Sequence, residues 1–321
     1  MSHDPSSDEE RFVLAERMEE RGELTEAVKL WRELASERAD ASILCRQASL
    51  ADQLGYTEEA ERAYRRAIHI DDKLPWAYVG VASILMSRRE YTEAAVFLAK
   101  ALKLERNAIT YTMLGVALLS LDRTEEATEN LQAALHLDPT YEEAYFNLGV
   151  IKQKTDRNAA GSLFVKALEA DPNYADAHRE LGWLLNEAEP NPQAEYHLRR
   201  ALELKPSDPW ARVYLGNYLW KRGDISAAIP EFEEAINLMP NRALPLWSLA
   251  NLYESQESWN EAEALYERAI MAEPDDPVAH MNFGRMLKKK GDNAKASAQL
   301  RTALSIDPNY EQARNLLADA E

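Results

Sequence analysis

A period of 33 to 34 residues, written nine times, constrains this chain more than any other feature of its sequence. Residues 108–141 show the unit most plainly. Tyr111, Leu114, Gly115 and Leu118 follow the i, i+3, i+4, i+7 spacing that places apolar side chains on one face of a helix. A polar break at Asp122-Arg123-Thr124 follows, and Ala127, Leu131 and Ala134 then mark a second helix. Asp138-Pro139 stops it, because proline lacks the amide donor and its ring clashes with the preceding turn. Small residues at Gly115, Ala127 and Ala134 let the two backbones approach closely, while Tyr111, Leu118 and Leu131 fill the space around them.

With Ala108 as position 1, the pattern restarts at Asp8, Ala41, Pro75, Ala108, Glu142, Ala175, Pro209, Ala243 and Pro277. Position 20 is alanine in every repeat, from Ala27 to Ala296, and a large residue follows four places later, from Trp31 to Leu300. Glycines and prolines give an independent test of that register. Five of the 11 glycines fall at position 8 and four at the turn between helices; six of the 14 prolines close a second helix. Three more prolines open a repeat, where a first-turn proline is tolerated. Length alone would suggest two domains, but in a repeat array each unit contacts only its neighbours.

Leu148-Gly149, Ala160, Phe164, Ala167 and Pro172 match, residue by residue, the pattern of the tetratricopeptide repeat, which the chain resembles over residues 8–310. The resemblance implies an all-α, right-handed superhelical α-solenoid of nine helix-turn-helix repeats plus a C-terminal capping helix. Their expected spans are 8–40, 41–74, 75–107, 108–141, 142–174, 175–208, 209–242, 243–276 and 277–310. Residues 1–7 are expected to be a disordered tail, and 311–321 a cap whose Leu316 and Leu317 cover the apolar end of the array. Two departures are local: Glu189-Pro190-Asn191-Pro192 replaces a turn glycine, and Pro230 suggests a mild kink.

In proteins of this resemblance, positions 2, 5, 9, 12 and 13 line a concave face and take the partner. Five of the seven tryptophans fall there: Trp76 and Trp210, Trp247, Trp183 and Trp220. Phe146 and Val213 extend the same wall, with Val79, Val116, Val150, Ile109, Leu119, Leu244, Met86 and Met281. Aromatic side chains in a concave wall are what binding hot spots are built from, and a large exposed apolar patch marks an interaction site. Packing against the neighbouring helix is the alternative for these residues. Asn217 and Asn251, at position 9 of adjacent repeats, offer donor and acceptor to an extended peptide backbone. Acidic residues gather at one end of the array (Glu9, Glu16, Glu19, Glu20, Asp52) and Arg285, Lys288 and Lys289 at the other, a polarity expected to orient a partner by its acidic part. No repeat has lysine at position 5, so the carboxylate clamp of chaperone-binding relatives is absent.

The net charge of −18, from 37 basic and 55 acidic residues, argues against nucleic acid and against an anionic membrane surface as partners. No apolar run approaches the ~20 residues of a membrane span, and the first residues lack the basic and apolar segments of a signal peptide. Cys45 is the single cysteine, which rules out an internal disulfide, and a cytoplasmic location is expected. No HExxH or other histidine ligand spacing, nucleophile motif or phosphate-binding glycine loop is present, so neither enzyme activity, cofactor nor metal is expected. The expected function is a scaffold, adaptor or assembly chaperone that holds a protein or peptide with an apolar or aromatic segment. The alternatives are a self-assembling module, giving a homo-oligomer, and a non-catalytic subunit that delivers substrates to a separate enzyme.

Overall fold

A computed structural model describes residues 8–186 and 191–319, and every regular element among them is a helix. The expected tail at 1–7 and residues Glu189 and Pro190 of the proline-rich turn lie outside the described residues. The chain divides into two compact units, with the boundary after Leu163. The first contains α1 (Asp8–Glu20), α2 (Leu24–Glu37), α3 (Ala41–Gln53), α4 (Thr57–Ile70), α5 (Pro75–Ser87), α6 (Tyr91–Leu104), α7 (Ala108–Ser120), α8 (Thr124–Leu137) and α9 (Glu142–Gln153), and α10 (Arg157–Ala170) carries the boundary. The second contains α11 (Ala175–Leu185), α12 (Pro192–Leu204), α13 (Pro209–Lys221), α14 (Ile225–Leu238), α15 (Ala243–Ser255), α16 (Trp259–Ala272), α17 (Pro277–Lys290), α18 (Asn293–Ile306) and α19 (Glu311–Ala318). Within each unit, consecutive helices pack as antiparallel hairpins, and first helices of neighbouring hairpins also touch, as α13 does α15 and α15 does α17.

The pattern read from the sequence becomes the core. All nine position-20 alanines have no exposed surface, and eight of the nine large residues at position 24 have none either, Tyr64 being the exception at 8%. The close approach that needs glycine is explicit at Gly115, where an added Cβ would stand 2.8 Å from Leu131 Cγ and 3.3 Å from the Ala127 carbonyl. Pro230 sits inside α14, which runs on unbroken from Ile225 to Leu238. The last hairpin is covered by α19, whose buried Ala313 joins Met281, Leu300 and Ala303, with Leu316 and Leu317 packed around them.

Two local devices hold the hairpins. At the turn inside seven of them, one residue takes the left-handed conformation and the amide after it donates to the carbonyl five residues back, as Asp224 does to Leu219 at 2.9 Å. Glycine fills that place at Gly22, Gly55, Gly223 and Gly291, but Arg89, Asp122 and Glu257 occupy it at φ of 57–63°. A side chain there costs about 1 kcal/mol in steric conflict between Cβ and the backbone. The triple change R89G/D122G/E257G is therefore expected to raise the thermal midpoint, and a lower midpoint would show that these side chains contribute contacts of their own. The second device joins consecutive hairpins: the side chain at position 4 donates back to a turn carbonyl six residues earlier. Tyr145 reaches Pro139 at 3.1 Å, His178 Pro172 at 3.1 Å, Arg212 Pro206 at 2.9 Å, His280 Pro274 at 3.0 Å and Arg314 Pro308 at 2.7 Å. The prolines thus stop one helix and present an acceptor that fixes the start of the next.

Candidate functional site

In the second unit the amino-terminal ends of α13, α15 and α17 converge with the linker at residues 273–276 around a cleft of about 550 Å³. Trp210, Leu244, Trp247, Pro274, Pro277 and Val278 form its apolar walls, and Arg242, Glu273, Asp275 and Asp276 its charged rim. Each wall is fixed by local chemistry. Asp208, 1% exposed, caps α13 by accepting the amides of Trp210 at 2.9 Å and Ala211 at 3.2 Å, and its other oxygen takes Arg179 at 2.9 Å. Pro209 and Pro277 supply the preset φ of a first helical turn. Glu273 accepts the Ala243 amide at 2.7 Å with one oxygen and pairs with Arg242 at 3.1 Å through the other, tying the linker to the start of α15. The Arg242 guanidinium in turn lies over Trp210, 6.0 Å from the ring centroid.

Of the predicted partner-binding residues, the cleft gathers Trp210 and Trp247. The indole nitrogen of Trp247 is buried with no acceptor, so this ring is also part of the packing. Trp220 donates to Ser255 Oγ at 3.2 Å, and Trp183 stands 6.1 Å from the Tyr214 ring. Asn217 is half-buried on α13. In the first unit, Trp76 is 45% exposed and Ile109, at the same position of the next hairpin, 56% exposed; Phe146 is half-buried.

Three expectations need correction. Val213 has no exposed surface and Met281 only 5%, so both belong to the core and neither lines a wall, because the helix in front covers them. The amide oxygen of Asn251 accepts from Arg285 at 2.7 Å and lies 2.6 Å from the Tyr266 hydroxyl, which leaves it unavailable as a backbone clamp. The basic end is paired internally, Arg285 and Lys289 sharing one carboxylate. Arg285 and Lys289 pair with Glu254 at 3.1 and 2.8 Å, Lys288 with Asp319 at 3.4 Å, and Lys290 with Glu263 at 2.5 Å. An acidic segment would have to displace those carboxylates. The linker residues that form the rim were invisible to a reading that followed helix positions, although their proline-bounded acidic run, Glu273-Pro274-Asp275-Asp276-Pro277, was in view.

A histidine pair in the same unit has a different role. His178, 4% exposed, holds Pro172 with Nε2, and its Nδ1 meets His197 Nδ1 at 2.8 Å. Burial pushes the His178 pKa down; burial, then the charge of His178, pushes that of His197 down to about 4. The unfolded chain, with histidines near 6.5, therefore binds more protons between pH 6.5 and 4, so this contribution to stability is complete above about pH 6.5 and falls as the pH drops through that window. In the last hairpin the same two positions carry His280 and Gln299, bonded at 2.7 Å. Copying that arrangement with H197Q is expected to remove much of the acid-induced loss between pH 6.5 and 4, read as the pH dependence of the melting midpoint; an unchanged slope would clear the pair of responsibility. Cys45 is buried and its thiol pushed up to about 12 by burial, the opposite of what a nucleophile needs. Among the described residues no three His, Cys, Asp or Glu side chains converge as metal ligands. None of the described helices is long and apolar enough to cross a membrane.

Comparison with known proteins follows the helical pattern. Models described as tetratricopeptide repeat match residues 41–73, 153–209, 219–281 and 253–320, and one described as TPR repeat matches 115–156. The human protein O-mannosyl-transferase TMTC3 is 24% identical over 261 residues, which is 79% of this chain and 28% of that protein. The TPR repeat-containing protein MJ1428 of Methanocaldococcus jannaschii is 24% identical over 223 residues, 66% of this chain and 39% of that one. The matched region thus covers less than half of either relative. Among solved structures, a chain of the APC/C hetero-tetramer Cut9-Hcn1 superposes with a TM-score of 0.60 at 15% identity, covering 98% of this chain and 84% of that one, a likeness of fold alone.

Proposed function

Because the chain belongs to the tetratricopeptide repeat family, we propose that it is a non-catalytic interaction scaffold whose second unit holds a segment of another polypeptide in the cleft walled by Trp210 and Trp247. The observation that carries this reading is the cleft itself: about 550 Å³, within the size range of ligand sites, with mostly apolar walls and a few placed polar groups. The cations of α17, Arg285, Lys288, Lys289 and Lys290, each have a carboxylate partner within the chain, which suits structure better than recognition. A tryptophan at the centre of a desolvated contact is the residue most often found to dominate binding.

The test uses peptides selected from a random display library against the intact chain. The variant W210A/L244S is expected to weaken the selected peptides by at least about tenfold, or 1.4 kcal/mol, while W76A in the first unit leaves them unchanged. Equal loss with W76A, or none with W210A/L244S at unchanged helix content, moves the binding face elsewhere. Trp247 stays in place, since its packed ring would confound binding with folding.

A second reading draws on the relatives. The matched human protein is named an O-mannosyl-transferase, and this chain aligns with about a quarter of it. On this reading the array presents polypeptide to a separate enzyme. Transferase activity that co-purifies with the chain, and is lost with W210A/L244S, would support it; activity intrinsic to the purified chain would overturn the non-catalytic assignment.

A further inference from the structure

The rim of the cleft is uneven in charge. Arg242 is the single cation among the described lining residues, and Glu273 neutralises it at 3.1 Å. Two carboxylates remain. Asp276 caps α17 with one oxygen, accepting the Val278 amide at 2.9 Å, and its second oxygen makes no hydrogen bond or ion pair among the described residues. Asp275 is exposed and has no such partner among the described residues. Apolar walls therefore lead up to two adjacent negative charges, on a chain whose net charge is −18. An acidic segment is repelled at both ranges, and a wholly apolar one leaves the carboxylates with nothing to meet but water.

We propose, on the strength of the peptide-binding reading above, that the segment taken by this cleft carries an arginine. The aliphatic stem of one arginine would lie along Leu244, Trp247 and Val278, and its guanidinium would reach Asp275 and Asp276. Long cationic side chains bury their stems on apolar surface while the head stays with polar partners. Arginine fits better than lysine because its planar, weakly hydrated head stacks on indole and meets a carboxylate with two parallel donors. The surrounding negative field also attracts a basic segment from a distance, an effect that weakens with salt.

The same display library, panned on the intact chain at low salt, tests this through composition and through single-atom changes. Selected peptides should be enriched in an arginine beside an aliphatic or aromatic residue. Replacing that arginine by citrulline, which keeps the shape and removes the charge, is expected to weaken binding roughly five- to tenfold. The D275N variant should weaken the arginine peptide to a similar degree and make citrulline and arginine nearly equivalent. Asp275 is exposed and caps no helix, so an unchanged melting curve is expected; Asp276 is left alone because α17 depends on it. Peptides selected without arginine, lost with W210A/L244S but indifferent to D275N, would overturn the arginine assignment and leave the cleft reading standing. Arginine peptides that bind wild type and D275N equally would also overturn it, since the attraction would then be to the net charge alone. Selected peptides indifferent to W210A/L244S would overturn both.

Discussion

Replacing Glu254 with alanine is expected to destabilise the second unit by roughly 1–3 kcal/mol, the cost of leaving the half-buried Arg285 without its counter-ion and the buried Tyr266 hydroxyl without its acceptor. The Glu254 side chain is 2% exposed and lies on α15, yet it receives Arg285 and Lys289 from α17 at 3.1 and 2.8 Å and the Tyr266 hydroxyl from α16 at 2.7 Å. Burial pushes its pKa up, but the hydrogen bonds from Arg285 and Lys289 and the Arg285 charge outweigh this and hold the carboxyl below its ordinary value. A depressed carboxylate pKa means that the stabilisation is present above the unfolded value, near 4.3, and is lost as the pH falls from there through the folded value. Lys289, 57% exposed, should behave differently: K289A is expected to cost under about 1 kcal/mol, because its ammonium returns to water and Arg285 stays on the carboxylate. The measurement is hydrogen exchange of α15, α16 and α17. An array of repeats opens locally, and hydrogen exchange assigns the loss to these three helices, which a melting midpoint does not. Equal effects of E254A and K289A would mean that the carboxylate is better hydrated than its burial indicates.

The second large effect is expected at Phe232. This ring has no exposed surface and fills the place opposite Gly216, where an added Cβ would come within 2.8 Å of Phe232 Cε1. F232A removes the ring and leaves a cavity between α13 and α14, at an expected cost of about 3–5 kcal/mol. The glycine supplies the internal control. G216A alone should destabilise by roughly 1–2 kcal/mol through overpacking, whereas in the F232A background the same methyl enters vacated space and should be neutral or stabilising. A double-mutant cycle reads that coupling directly, and additivity within about 0.5 kcal/mol would show that the two side chains do not share the space.

The fold class was legible because its causes are local and repeated. The 3.6-residue spacing of apolar positions, the stop at each closing proline and the small residues at positions 8, 20 and 27 each have a physical meaning within one hairpin. The structure puts each of the nine position-20 alanines at zero exposure. Turn chemistry was only half legible. Gly223 announces a left-handed residue, but Glu257 does not; it adopts the same conformation because the two packed helices and the Ser258–Tyr253 hydrogen bond of 3.0 Å impose it.

The candidate site was legible in outline. Trp210 and Trp247 stood out in the sequence, while Arg285 and Lys289 looked like ligand contacts and instead pair with Glu254, and Asn251 accepts from Arg285. Val213 shared a position with Trp247 and was drawn wholly into the core. Periodicity reports which face of a helix is apolar. It does not report which charge one repeat away will meet a carboxylate, as Arg285 meets Glu254 across 31 residues, nor that a linker folds back to wall a cleft. The sequence by itself determined the hairpin and its repetition, since those follow from backbone propensity and side-chain size within some 34 residues. Tertiary structure alone decided which of these groups are consumed by their neighbours and which stay exposed, because that depends on through-space pairing between hairpins.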